Sequence, residues 1–231
     1  MDLGDGLTPP SDPAVSVSSV SPDDTRLPRS FFARPSVEVA PDLLGRHLAF
    51  GGVVLRLTEL EAYAGTLDPG SHAYRGETPR TQPMFGPPGF TYVYFTYGHH
   101  WCVNLVVGEE GAASAVLVRA GEVVAGHDLV RSRRGPVRER DWARGPGRLG
   151  QALAMTKEHT GLDFCRPAVG EPIDLVVSEG ERTPPERVGV GPRVGVSGPG
   201  GDGSVFPWRF WVDGDPNVST YRPGVVRRRR G

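Results

Sequence analysis

Residues 47–63 read HLAFGGVVLRLTELEAY, and this stretch decides the fold class. Two runs of strand-forming residues flank Gly51-Gly52, and a glycine pair between such runs predicts a tight antiparallel hairpin. By a period of two, Val53, Leu55, Leu57, Glu59, Glu61 and Tyr63 fall on one face, and Val54, Arg56, Thr58, Leu60 and Ala62 on the other. The first face opens apolar and ends in two carboxylates and a phenol. Polar groups are therefore expected at the end of a buried strand. A second hairpin is predicted where residues 91–97 (TYVYFTY) and 101–107 (WCVNLVV) flank Gly98-His99-His100.

Outward from these hairpins, residues 36–45 predict a short helix stopped by Gly45, and 64–90 are loop-like. A strand is expected at 115–120 and helices at 122–134 and 146–159. Later strands are expected at 172–177, 188–196 and 208–213. Strands come first, helices in the middle and strands again. That order predicts a single mixed α+β domain on an antiparallel sheet, not the strict alternation of a doubly wound fold. Residues 1–29 are rich in Pro, Ser, Gly and Asp without hydrophobic period, and read as a disordered tail. The domain is expected over 30–222, followed by a basic tail, 223–231, that holds Arg227 to Arg230.

The 231 residues suit one domain. Gly (32) and Pro (23) favour turns over a helical bundle. A net charge of −1 excludes a global basic field, although residues 119–148 hold eight Arg against four acids. Lys157 is the only lysine, so Arg abundance is partly a compositional bias rather than phosphate-binding design. Cys102 and Cys165 have no paired-ligand spacing, which argues against a disulfide framework or a cysteine zinc site and for a reducing compartment. The N-terminus lacks the pattern of a signal peptide, and no apolar run is long enough to span a bilayer. A cytoplasmic protein without membrane contact is expected.

Residues 81–108 contain no Asp, Glu, Lys or Arg but seven aromatics. A buried central hairpin accounts for that composition. Yet Tyr97-Gly98-His99-His100 falls at a turn, and an aromatic at a hairpin tip also suits wedging into a base stack. Glu59 and Glu61 share a strand face, close enough to raise each other's pKa and make one a general base. The commoner reading of such a pair is surface charge at a strand end, and His72 alone is more often a hydrogen-bonded loop residue. Arg119, ending an apolar strand, fits an ion pair as well as a catalytic role. Arg144-Gly145-Pro146-Gly147-Arg148 opens a helix, a natural phosphate site that equally reads as a loop-to-helix junction.

Together these segments resemble the alkyladenine, or 3-methyladenine, DNA glycosylases from Phe31-Phe32 to about Ser219. The resemblance is carried by Glu59-Leu60-Glu61-Ala62-Tyr63, Asp68-Pro69-Gly70-Ser71-His72, Thr78-Pro79-Arg80, Met84-Phe85, Tyr92-Val93-Tyr94, Tyr97-Gly98 and Cys102-Val103-Asn104. Further carriers are Val116-Leu117-Val118-Arg119, residues 145–153 (GPGRLGQAL) and Arg193-Val194-Gly195-Val196. Their order and spacing along one chain weigh against chance.

The resemblance implies a single domain with an antiparallel sheet, a protruding hairpin and flanking helices. It implies a monofunctional enzyme, without metal, cofactor or amine nucleophile, acting on double-stranded DNA that contains damaged purines. Alkylated or deaminated purines (3-methyladenine, 7-methylguanine, then hypoxanthine and ethenoadenine) would be flipped out and their N-glycosidic bond hydrolysed. Glu61 would activate the water, with Arg119 beside it. Tyr63, His72 and Tyr94 would line the base pocket, and Asn104 would crowd the 2-amino group of guanine. Tyr97, with Gly98, would fill the gap in the duplex, and Arg144 and Arg148 would bind phosphate. A monomer associated with a prokaryotic nucleoid is expected. A non-catalytic binding module of the same fold and a metal-dependent nuclease using Glu59 and Glu61 are the competing readings.

Overall fold

The glycine pair at 51–52 turns β1 (His47–Phe50) back onto β2 (Val53–Ala64), with Phe50 opposite Val53 and His47 opposite Arg56. The computed structural model describes residues 25–96, 98, 100–167 and 175–225. The predicted disordered tail up to residue 24, the start of the strand expected at 172–177 (residues 172–174), the whole Arg227 to Arg230 run, and Tyr97, the residue expected to wedge into the duplex, together with His99, lie outside the described residues. Packing starts ahead of Ser30: Leu27 is buried in the core and Arg26 bridges to Ser178.

The second hairpin joins β3 (Thr91–Thr96) to β4 (His100–Val107), and β5 (Ser114–Ala125) follows. The later strands are β6 (Leu175–Ser178), β7 (Val188–Gly191) and β8 (Arg209–Val212). All eight form one antiparallel sheet ordered β3-β4-β5-β2-β1-β6, with β8 pairing β2 at residues 59–61 and β7 pairing β8. The long β2 thus has β5 on one side and, in succession, β1 and β8 on the other. The helices are α1 (Arg29–Phe32), α2 (Ser36–Asp42), α3 (His127–Arg134) and α4 (Pro146–Leu153). All four supply side chains to one core, among them Phe32, Val39, Val130, Leu149 and Leu153, against Leu55, Leu60, Val103, Leu105 and Val118 of the sheet. Each such fully buried aliphatic contributes about 1.5–3 kcal/mol of burial free energy before conformational entropy is counted. Among the described residues no helix is long and apolar enough to cross a membrane.

The predicted period on β2 needs correction. Leu55 and Leu57 enter the core, but so do Leu60 and Ala62, whereas Glu59 and Glu61 engage polar partners. The register against β5 shifts between Leu57 and Leu60, so a bulge at Thr58 inserts one residue and reverses the alternation. The carboxylates therefore lie on the face opposite the leucines, not at the end of the leucine face.

The helix expected at 122–134 begins only at His127. Val123 and Ala125 still pair with β2, and Gly126 makes the break at φ +81°. A Cβ at Gly126 would lie 2.3 Å from the Gly52 carbonyl oxygen, so the turn is wedged against the first hairpin and only glycine fits. The helix expected at 146–159 stops at Leu153. Ala154 takes a left-handed conformation, and Thr156 with His159 caps a separate short 3-10 turn. The strand expected at 188–196 ends at Gly191, before Pro192. At Gly150 a Cβ would sit 2.1 Å from the Trp101 carbonyl oxygen, so the absence of a side chain lets α4 lie directly on β4.

Candidate active site

Alternation along the central strands divides the sheet into a core face and a working face. Val93, Val103, Leu105, Val116, Val118, Leu60 and Ala62 face the helices. Their neighbours Tyr92, Tyr94, Cys102, Asn104, Leu117, Arg119, Glu59, Glu61 and Tyr63 therefore face the other way. Across this second face the register aligns Tyr92 with Asn104, Asn104 with Leu117, and Leu117 with Glu61. A cleft of about 830 Å³ opens above that row. Tyr63, His72, Tyr92, Tyr94, Cys102, Asn104 and Arg119 line it, with Arg144 to Arg148 on one rim and Val194 to Ser197 with Arg222 on another.

Glu61 is fully buried, one hydrogen bond behind the cleft wall. Its Oε1 accepts the Val194 N–H at 2.7 Å and its Oε2 accepts the Tyr63 hydroxyl at 2.9 Å. Arg119 Nη1 lies 3.4 Å away. The arrangement fixes protonation states. Burial, then Glu61, pushes the Tyr63 hydroxyl well above its ordinary 10, so the phenol remains a donor. Burial works against the Arg119 charge, but Glu61 and Glu59 outweigh it and hold the guanidinium above its ordinary value. The two carboxylates are thus bridged by one cation, Arg119, whose Nε donates to Glu59 at 3.0 Å.

The aromatic slot is built by side-chain packing along β3 and the loop before it. Tyr92 and Tyr94, two apart on one strand, stack with centroids 5.7 Å apart, and His72 meets Tyr94 edge-on at 4.6 Å. Burial, then Cys102, raises the Tyr94 hydroxyl, and burial pushes the Cys102 thiol up to about 11. Asn104 Nδ2 donates to the Tyr92 carbonyl oxygen at 3.0 Å, which fixes the amide on the slot floor. His72 keeps surface open to the cleft, but the protein crowds its ring, and Arg80 is close by. That desolvation, then the Arg80 charge, lowers its pKa below 6.5. The folded state therefore favours the neutral ring. Its contribution to stability is complete above pH 6.5 and is lost as pH falls through 6.5 towards the lower folded value. The His72 ring protons are expected to titrate with a midpoint below 6.5 in native protein, read by NMR. A midpoint at or above 6.5 would contradict this environment.

The structure brings Arg119, Tyr63, His72, Tyr94 and Asn104 into one wall and floor, with Glu61 buried directly behind Tyr63 and Arg119. Arg144 and Arg148 border the same cleft where α4 begins, each 3.5 Å from Asp141, and Arg144 Nε also donates to the Val218 carbonyl at 2.7 Å. Gly98 lies at the hairpin tip with φ +73°. Among the described residues no group of three or more His, Cys, Asp or Glu is placed to hold a metal ion.

Three supports escaped the sequence reading. Arg193, fully buried, makes a two-pronged pair with Asp68 (2.5 and 2.6 Å), donates to the carbonyls of Ala62 and Gly200, and lies 4.5 Å over the Tyr63 ring. Glu59 takes Arg209 Nε at 2.7 Å besides Arg119. Ser219 donates to Glu59 through its amide and its hydroxyl. Apart from the Arg193–Gly200 bond, these hydrogen bonds join residues 125 to 160 positions apart, and no local pattern announces them.

The family described as methylpurine-DNA glycosylase matches residues 30–216. A Streptomyces avermitilis protein named "Putative 3-methyladenine DNA glycosylase" is 55% identical over 91% of this chain and 98% of its own length. Proteins of the same name from Frankia casuarinae and Burkholderia cenocepacia are 49% and 45% identical, over 84% and 87% of this chain and 92% and 94% of theirs. The chain belongs to the methylpurine-DNA glycosylase family.

Proposed function

We propose that this protein is a monofunctional DNA glycosylase that flips an alkylated purine into the cleft and hydrolyses its bond to deoxyribose. The observation that carries the reading is the position of Glu61. It is a buried carboxylate held by Val194, Tyr63 and Arg119 directly behind a slot walled by Tyr94 and His72. Bases must leave the stack to be acted on, at a cost of a few kcal/mol, and stacking on aromatic side chains offsets about 1–3 kcal/mol of it per base. A purine alkylated at N3 or N7 is cationic, suits an electron-rich slot, and departs as a neutral base. A water that enters the cleft at Arg119 and Val194, both of which line it, is the nucleophile. Its oxygen bonds to C1′ as the glycosidic bond breaks, the bonding pair leaves with the base, and Glu61 takes the proton. The carboxylate also faces the positive charge that builds on the sugar.

Asn104, pinned by the Tyr92 carbonyl, leaves its carbonyl oxygen and one N–H to meet the edge of the base. The rim at Arg144 to Arg148 takes backbone phosphate. Family and relatives support the glycosylase class, and the name the relatives share points to 3-methyladenine.

The test is a panel of duplexes carrying 3-methyladenine, 7-methylguanine, hypoxanthine and ethenoadenine, scored for abasic sites with and without EDTA. Release of the methylated bases is expected, unaffected by EDTA, with strand breaks only after alkali. Binding without any abasic site would instead favour a non-catalytic damage-binding module.

A further inference from the structure

After β8 the chain turns through Asp215 and Asn217 and runs back across the site. Asp215 anchors the turn by accepting Arg56 Nη2 at 2.5 Å and the Asn217 N–H at 2.8 Å. Two backbone carbonyls of this strap then hold the cleft. Val218 accepts Arg144 Nε at 2.7 Å, and Arg222 accepts the N–H of Gly195, next to the Val194 that donates to Glu61, at 2.8 Å. Between them, each polar atom of Ser219 is engaged. Its N–H donates to Glu59 Oε2 at 2.7 Å and its hydroxyl to Glu59 Oε1 at 3.0 Å. Its Oγ accepts Arg119 Nη2 at 3.4 Å, and its carbonyl accepts Arg209 Nη2 at 3.0 Å.

We propose that Ser219 is a positioning residue for base release: its hydroxyl locks Arg119 onto Glu59 and so fixes the Arg119 guanidinium beside Glu61. The inference rests on the glycosylase reading for its kinetic consequence but not for its geometry. Ser219 lies past the end of the family match at residue 216, so the working unit extends beyond that match. The physical case is one of competing donors. Glu59, fully buried, accepts from two guanidiniums as well as from Ser219. Arg119 can settle against Glu59 in more than one way unless something fixes its far end, and the Ser219 hydroxyl is the group that touches both Arg119 and Glu59. A buried donor deprived of its partner shifts to find another. Here that shift moves the charge that Glu61 faces.

The full chain, Ser219→Ala and Ser219→Thr are compared in three assays. These are single-turnover release of 7-methylguanine, binding to a duplex with an abasic-site analogue, and hydrogen exchange of the Arg119 Nε–H by NMR. Ser219→Ala is expected to slow release about tenfold, keep binding within about twofold and speed the exchange, and Ser219→Thr to restore release and exchange. Release at the parental rate, unchanged exchange, or equal impairment in both variants overturns the proposal; the last is what packing alone produces. A parent that releases no base sinks the glycosylase reading instead. The exchange comparison then decides Ser219 by itself, equal exchange in parent and Ser219→Ala overturning its role.

Discussion

Glu61→Gln is expected to keep lesion binding within a few-fold of the parent and to slow base release about a thousandfold, the range for loss of a positioned general base. The substitution is close to isosteric, and its consequences can be followed bond by bond. The glutamine carbonyl can still accept the Val194 N–H now received by Oε1. Its NH₂ replaces Oε2, so the Tyr63 hydroxyl turns from donor to acceptor, which a phenol does freely. Arg119 loses one of its two carboxylates but keeps Glu59 at 3.0 Å. Slot geometry and fold are therefore preserved while the proton acceptor is removed, and the charge facing the sugar cation goes with it. The measurement is single-turnover release of 3-methyladenine and 7-methylguanine with enzyme in excess, beside a binding titration on the same duplex. Release at the parental rate would remove Glu61 from the chemistry. Loss of binding in parallel with release would make it a structural residue.

How far the sequence carried this site follows from which interactions are local. Both hairpins were legible because β-branched and aromatic runs meet at glycine turns, and both signals lie within a few residues. The grouping of Tyr92 with Tyr94 followed from strand period, as did that of Glu59 with Glu61. The bulge at Thr58 shows in the sequence only as a change of phase, with apolar residues at odd positions from Val53 to Leu57 and at even positions at Leu60 and Ala62, and one period of two laid across both segments passes over it. It matters, because it turns Glu61 out of the leucine face and onto the face that carries the cleft. The strand continues through residues 122–125, ahead of the expected helix start: Val123 and Val124 are β-branched and suit a strand, pairing with β2 keeps the segment extended, and the break comes only at Gly126. By strand period alone, Glu59 is a neighbour expected to raise the pKa of Glu61. In the fold Arg119 stands between them, and Glu59 serves Arg209 and Ser219 as well. Those partners come from the far end of the chain, where periodicity says nothing.

The largest effect on stability is expected at Asp68. Its carboxylate and the Arg193 guanidinium are both fully buried and meet through two short hydrogen bonds. Removing one member of a buried pair strands the other charge away from water, at about 3–5 kcal/mol. Asp68→Ala is therefore expected to lower the unfolding midpoint by about 10 °C in a chain of this size. An exposed pair offers the control. Asp128 and Arg131 also lie 3.0 Å apart, but in solvent, and Asp128→Ala is expected to change stability by less than about 0.5 kcal/mol. The pair's importance lies in what Arg193 holds besides Asp68: the Ala62 carbonyl on β2, the Gly200 carbonyl, and the ring of Tyr63. The residue after it, Val194, donates to Glu61. A guanidinium released from Asp68 is therefore expected to disturb Glu61 too, and base release should fall along with stability. Replacing both charges, Asp68→Leu with Arg193→Met, separates the causes. If the stranded charge dominates, the double variant regains more than half of the lost stability while base release remains impaired, because the ties to Ala62 and Gly200 are gone. A single variant that unfolds within about 2 °C of the parent would mean that the loop carrying Asp68 is held by other contacts, and that the pair is not what docks it against β2.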